Sequence, residues 1–427
     1  MSIAVVAMTD SSSTNPKIPI YDWKNTNIIL SSFYWTYIVL QLFSGYIFKK
    51  FGLRRVLLVS MFINSSAFTL VPLCSSLFGS SGVIGVRMIQ GLFQGFTFPA
   101  CHAVLGLWAP INERSQLTIL LYSGGNVGVI LALLITGYLA ASWYGWPIVF
   151  YIFGACGITW CIVWFILGYD TPSEHPWISE TERIYIEESL EQTQKNDIDI
   201  PWKAILTSFP FWVLITSNMG NAWGLNIITL DLPTFLSKGL GLNISSNGLI
   251  SASPQMVQLV LIIVAAPIGD YIVNRKIVSL MNCRRIFQFC ATILPSLALV
   301  WLAFVSKTQI ALAVFLLNII MGLSGLLMHG SYINHIDLSP TYGGLLLGVE
   351  NAFSEVLAIT GPIFVQWFLT DMTNIILWHV KIHNIFHSLL LILFTYINIY
   401  SYKRINVQLI HYINFLIELF LVISLKE

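Results

Sequence analysis

The run GVIGVRMIQGLFQGFTFPACHAVLGLWAPINER, residues 82–114, is apolar over a length that crosses a bilayer and carries an arginine in its interior. At about 1.5 Å of rise per residue, residues 82–106 outreach the roughly 30 Å of hydrocarbon in a membrane, which puts Arg87 inside a spanning helix. A guanidinium there costs at least ~2.5–3.5 kcal/mol on insertion scales, and it persists where it faces a protein partner or a wet cavity. Helical spacing sets Arg87, Gln90, Gln94, Phe98 and Cys101 on one stripe, with amides in line below the charge. Pro99 cannot donate to the Gly95 carbonyl and its ring crowds that group, so a bend is expected between them. An inward arginine on a bent helix suits a path for anions. The competing reading is an arginine that snorkels to the nearer interface, about a turn and a half away.

The rest of the chain repeats this character. Of 427 residues only 10% are charged, and the mean hydropathy is +0.76, which excludes a soluble multidomain protein and points to a polytopic membrane protein. The net charge of +1 says little about partners, because loop asymmetry carries the information. The six cysteines lack metal-ligand spacing and fall almost entirely in apolar segments, so neither a disulfide framework nor a metal site is expected, and no cofactor is implied. The opening MSIAVVAMTD is too short to span and lacks a basic flank, so it is not read as a cleavable signal.

Spans are expected at 28–48, 56–78, 82–107, 117–141 and 147–168, then at 209–235, 249–272, 286–305, 309–333 and 343–369. Between the two sets hydropathy collapses. There Ser179 fits a helix N-cap with Glu182 three residues on. This gives four segments: 1–168 as the N-terminal half of a bundle with an incomplete first span, 169–208 as a cytoplasmic linker, 209–371 as the C-terminal half, and 372–427 as an atypical tail. Each half has four cations in its second loop, Lys49, Lys50, Arg54 and Arg55 in one and Arg275, Lys276, Arg284 and Arg285 in the other. With those loops inside, the lysine and arginine bias is consistent throughout. Asn243-Ile-Ser245 is then a glycosylation sequon in an outside loop. Two parallel halves joined by a cytoplasmic linker describe a transporter that rocks around a midplane site. Gly91, Gly95, Gly124, Gly125 and Gly128 would permit close helix approach, for sliding or simply for packing.

At RMIQGLFQGFTFPACHAVLGLWAPINERSQL, residues 87–117, the chain resembles the anion:cation symporter group of the major facilitator superfamily, solute carrier family seventeen. That group includes sialin, the vesicular glutamate transporters and insect inorganic phosphate cotransporters. The likeness extends through SSFYWTYIVLQLFSGYI (31–47), GWPIVFYIFGACGITWCIVW (145–164), PTFLSKGLGLNISSNGLISASP (233–254) and INHIDLSPTYGGLLLGVENAF (333–353). It implies an all-α, two-half membrane bundle of 11–12 spans. It also implies secondary active transport of small organic or inorganic anions, driven by a sodium or proton gradient or by membrane potential, in the plasma membrane or in vesicular or lysosomal membranes.

By the same resemblance Arg87 matches the fourth-span arginine that contacts the substrate anion, and Gln90, Gln94 and Asn221 join it as candidate substrate residues. Gln94 stands where sialin and the glutamate carriers have a proton-exchanging glutamate, Leu30 where the glutamate carriers have a histidine, and Asn221 where they have a seventh-span arginine. Those departures argue against glutamate as cargo. With the fourth-span acid missing, Glu350, Glu355 and Asp231 are the candidates for ion coupling; Glu350 and Asn351 pair with Ser354 and Glu355 at four-residue spacing. Asn334, His335 and Asp337 match a family motif that also reads as a capped structural turn before Pro340.

Two departures concern the ends. Met1 falls within the family's first helix, so that span is expected to be incomplete. Residues 374–427 contain no Gly, Ala or Pro and lie outside the likeness, as a translated noncoding or alternative terminal segment would. A competing expectation is therefore an incomplete or mis-assembled family member without transport activity. An intramembrane enzyme built on His102, His329 or His335 is disfavoured, because their spacing forms no metal or base–nucleophile pattern.

Overall fold

The computed structural model describes residues 1–9, 15, 18–110, 113–194, 202–306, 308–330, 343–358 and 360. Helices account for nearly all of these, and no strand occurs among the described residues. The tail 372–427 and the candidates Asn334, His335 and Asp337 lie outside them.

Helix α1 (Ser2–Met8) has only seven residues, all of them buried. It packs against helices of both halves of the chain. Helix α2 (Thr26–Phe51) bends by 59° between Thr26–Gln41 and Phe43–Phe51. The bend falls where Ser44 Oγ donates to the Gln41 carbonyl, a side-chain competitor for the helix's own bonds. Helix α3 (Leu53–Gln94) is helical by hydrogen bonding throughout, but Gly79 has φ 60° and ψ −142°, a conformation without steric penalty only for glycine. The chain reverses there. Asn64 reaches Gln94, Met61 meets Thr97, and Leu57 packs with Ala100, so the two legs run antiparallel. The expected spans 56–78 and 82–107 are thus both present within Leu53–Trp108. The second leg breaks at Gly95 and Phe96 and resumes as α4 (Thr97–Trp108), which places the bend where Pro99 withholds a donor.

Helices α5 (Arg114–Ala140) and α6 (Gly145–Leu167) complete the first set. Helix α7 (Glu180–Gln194) is the amphipathic linker, with the Glu182 N–H bonded to Ser179 Oγ at 3.2 Å as the capping box requires. A short α8 (Trp202–Leu206) leads into α9 (Phe209–Thr234), which relaxes into a π turn at Phe235–Gly239. Helices α10 (Ile244–Asn274), α11 (Leu280–Ala303), α12 (Ile310–Ser324) with a 3-10 turn at Gly325–His329, and α13 (Gly343–Ala358) follow. Among the described residues six helices are long and apolar enough to cross a membrane, seven with the bent α2, counting Leu53–Trp108 as one. Asn243 is exposed and its side-chain oxygen accepts from the Ser246 N–H at 2.8 Å, capping α10.

Two apolar clusters anchor the bundle. One joins α9, α11 and α12 through Ile227, Leu236, Leu299, Leu316 and Ile320. The other packs α1 with α2, α3 and α6 around Met8, Leu30, Val71, Val83 and Phe150, and reaches Ile244 at the start of α10. The first set of helices meets the second where α5 crosses α10, where α2 faces α13, and where α1 touches α9. At the α5–α10 crossing two glycines stand back to back: a Cβ on Gly137 would lie 2.6 Å from the Gly248 Cα. Backbones approach this closely only with no side chain between them.

Candidate functional site

Glycine packing positions the arginine. A Cβ on Gly91 would lie 1.9 Å from the Phe33 carbonyl oxygen, and one on Gly95 would lie 2.3 Å from that of Tyr37. The second leg of α3 is therefore pressed backbone to backbone against α2 along a Gly-x-x-x-Gly edge. Thr36 Oγ1 adds a 2.6 Å bond to the Met88 carbonyl. This contact carries Phe33 under Arg87, whose guanidinium carbon sits 4.6 Å from the ring centroid. A desolvated cation over an aromatic face gains ~2 kcal/mol, a large part of the cost of holding the charge in the bundle. Arg87 is 9% exposed, and its Nη1 donates to Gln90 Oε1 at 3.2 Å. Its Nε and the Gln90 Nε2 are buried and find no acceptor among the described residues.

Around this fork lie groups from the other helices. Tyr34 stands within electrostatic range of both Arg87 and Glu355, and Tyr37, three residues on, within range of Glu355 and Cys101. Glu355 belongs to α13, and its Oε2 is buried with no hydrogen bond among the described residues. On the facing side Tyr122 of α5 lies 3.3 Å from His102 Nε2 and within electrostatic range of Glu350. Phe98 stacks edge-on against His102 at 4.8 Å between ring centroids. The result is a belt of tyrosines on α2 and α5 opposite two carboxylates on α13, with one arginine among them.

The expected residues separate into groups. Arg87 and Gln90 are joined. Gln94, the last residue of that helical leg, is engaged elsewhere, its Oε1 taking a 2.5 Å hydrogen bond from Asn64 across the α3 hairpin. Asn221 is fully buried on α9, with neither amide atom bonded among the described residues, beside a cavity of about 10 Å³ lined with Ile320 and Ser324. Glu350 is 2% exposed and accepts a hydrogen bond from Asn218 Nδ2. Asp231 is buried near the far end of α9, two turns beyond Gly224. Leu30 lies in the apolar cluster with α1. Gly124, Gly125 and Gly128 have open space around them, so close packing does not account for them.

Sequence reasoning passed over Tyr34, Tyr122 and Asn218. The run Ser217, Asn218 and Asn221, polar residues within one turn of a helix predicted to span, was a readable signal for Asn218. Nothing in the local pattern of α2 or α5 distinguished their tyrosines from lipid-facing ones.

A family model described as Major Facilitator Superfamily matches residues 1–362. A Drosophila ananassae protein named "Putative inorganic phosphate cotransporter" is 34% identical over 395 residues, spanning 87% of this chain and 82% of its own length. Vesicular glutamate transporter 1 of Bos taurus is 30% identical over 378 residues, 86% of this chain and 67% of that protein. Among solved structures, the xylose transporter XylE from E. coli in a partially occluded inward-open conformation superposes with a TM-score of 0.64 at 14% identity, covering 95% of this chain and 94% of XylE. That likeness concerns the fold alone.

Proposed function

We propose, for a chain that belongs to the Major Facilitator Superfamily and within it to the anion:cation symporter group, solute carrier family seventeen, that its cargo is a small organic or inorganic anion. It is an integral, multi-pass membrane transporter. The finer reading rests on one observation: Arg87 is buried, seated on Phe33 and tied to Gln90, with its Nε finding no acceptor among the described residues. A planar fork held this way suits a carboxylate or phosphate oxygen pair. The curated relatives named for inorganic phosphate and for glutamate support an anion as cargo.

In this reading the anion sits between α2, α3, α5 and α13, and the two halves alternate access around it. Tyr34 supplies a hydroxyl beside the fork, and Gln90 holds its orientation. Gln94 and Asn221 lie outside the immediate anion contact, Gln94 through its bond to Asn64 and Asn221 through its place on α9. Driving-ion coupling falls to the α13 carboxylates, Glu355 opposite Tyr34 and Glu350 against Asn218. Asp231 is more remote, toward the end of α9.

The test is uptake of inorganic phosphate and a panel of carboxylates into proteoliposomes under imposed sodium and proton gradients. Wild type is expected to accumulate at least one of these anions, and Arg87→Ala to lose that uptake while keeping its unfolding midpoint. Undiminished uptake in a folded Arg87→Ala protein would remove the arginine from the mechanism.

A further inference from the structure

The α9–α13 seam holds an arrangement that anion binding does not use. Ser217, Asn218 and Asn221 are 0%, 1% and 0% exposed, and among the described residues Ser217 Oγ, Asn218 Oδ1 and both amide atoms of Asn221 have no hydrogen-bond partner. Spacings of one, three and four residues put the three oxygens within a single turn of α9. The two helices run parallel: Phe211 and Ile215 pack with Leu346, Asn218 bonds to Glu350, and Trp223 Nε1 donates to Thr360 Oγ1 at 3.1 Å. One turn beyond Glu350, Ser354 gives its hydroxyl proton to the Glu350 backbone carbonyl at 2.9 Å, which leaves its own oxygen as an acceptor.

The seam is thus rich in acceptors. The carboxylate of Glu350 engages the Asn218 amide N–H, and the matching amide oxygen is turned from that bond without a donor. Buried acceptor oxygens that find no N–H or O–H donor in the protein are completed by an ordered water or an ion, and hard cations take oxygen ligands of just these kinds: carboxylate, amide carbonyl and hydroxyl. A single carboxylate balances one positive charge, which favours a monovalent ion. A small cavity adjoins Asn221 on its other side, toward α11 and α12, where Ala291, Pro295, Ile320 and Ser324 line it.

We propose that Glu350, Asn218, Asn221 and Ser217 form a binding site for one dehydrated sodium ion on the α9–α13 seam. The proposal deepens the transport reading above by giving the driving ion a place separate from Arg87. Sodium there screens Glu350 and ties α9 to α13, so its occupancy biases the packing of the very helix that carries Glu355 toward Tyr34.

The experiment uses the purified full chain in lipid nanodiscs and reads thermal unfolding by tryptophan fluorescence in sodium, potassium or choline chloride at equal ionic strength and fixed pH. Sodium is expected to raise the wild-type midpoint by several degrees over choline, in a saturable manner, because an ion that binds only the folded state stabilises it. The rise is expected to vanish in Glu350→Gln and to weaken at least tenfold in apparent affinity in Asn221→Ala, while Arg87→Ala keeps it. Glu350→Gln preserves side-chain shape, and Asn218→Asp, which restores a negative charge to the seam when paired with it, is expected to recover part of the sodium response. An equal midpoint in sodium and choline overturns the site, as does a sodium rise that survives in Glu350→Gln. A rise that follows acidification instead of sodium makes the seam a proton site and also overturns it. Failure of the transport reading looks different: the sodium rise persists, and no anion is accumulated.

Discussion

Replacing Gly91 by alanine tests the packing that seats Arg87. The added Cβ would lie 1.9 Å from the Phe33 carbonyl oxygen, whereas real Cβ atoms essentially never come closer than 3.0 Å. The backbones of α2 and α3 must therefore part by about 1.1 Å, and the obstacle is a main-chain oxygen that cannot rotate aside. Overpacking of this kind costs about 1–3 kcal/mol. It also weakens the 2.6 Å bond from Thr36 Oγ1 to the Met88 carbonyl. Because Phe33 is itself the ring beneath the guanidinium, a parting of this size misplaces Arg87 by a similar distance, and about 1 Å of misplacement at a reacting or binding group can cost 10²-fold. Gly91→Ala is thus expected to lower the unfolding midpoint in nanodiscs and to depress initial uptake of inorganic phosphate, or of whichever anion the wild type accumulates, by one to two orders of magnitude. Gly125→Ala is the control: nothing lies within 4 Å of its Cβ position. In a helix interior that change is expected to gain about 0.5–1 kcal/mol. If Gly91→Ala unfolded at the wild-type midpoint and carried anion at the wild-type rate, the reasoning from backbone contact to arginine placement would be refuted.

Arg87→Lys keeps a charge but loses the fork, so uptake is expected to fall at least tenfold with the midpoint nearly unchanged, in a rate measurement beside Arg87→Ala. Asn247→Ala removes a 2.6 Å bond to the Pro233 carbonyl and a 2.9 Å bond from Ser251, both buried, and is expected to destabilise by about 1–3 kcal/mol in chemical or thermal unfolding. Asn243→Ser retains an N-cap for α10 while abolishing the glycan acceptor; expression in a secretory host is expected to show a glycosidase-sensitive mobility shift in wild type only, with equal midpoints. Ser179→Ala removes the cap of the linker helix, and hydrogen exchange over Glu180–Gln194 is expected to quicken, the loss being about 1 kcal/mol, without change in uptake.

Several features of this protein were decided by local chemistry and are readable one residue at a time. Apolar run lengths set the spans, Pro99 set the break beside Gly95, and Ser179 and Glu182 set the start of α7, because each acts within a turn or two of itself. The arginine within a span was likewise plain, since bilayer thickness and helical rise alone place it there. What it touches was not. The helix is unbroken from Arg87 to Gln94, so the stripe keeps its register, but what each side chain bonds is set from outside: Asn64, arriving from the antiparallel leg, occupies the Gln94 amide oxygen. Gly91 and Gly124 are the same residue in the sequence, yet one meets a carbonyl and the other open space, a difference set entirely by what packs alongside. The juxtaposition of Asn218 with Glu350, 132 positions apart, and of Tyr34 with both Arg87 and Glu355 depends on how α2, α9 and α13 are laid against one another. Charge burial in a membrane is dictated by composition and period, but which oxygen faces which cation is decided only when distant helices are brought to the same depth and turned to the same side.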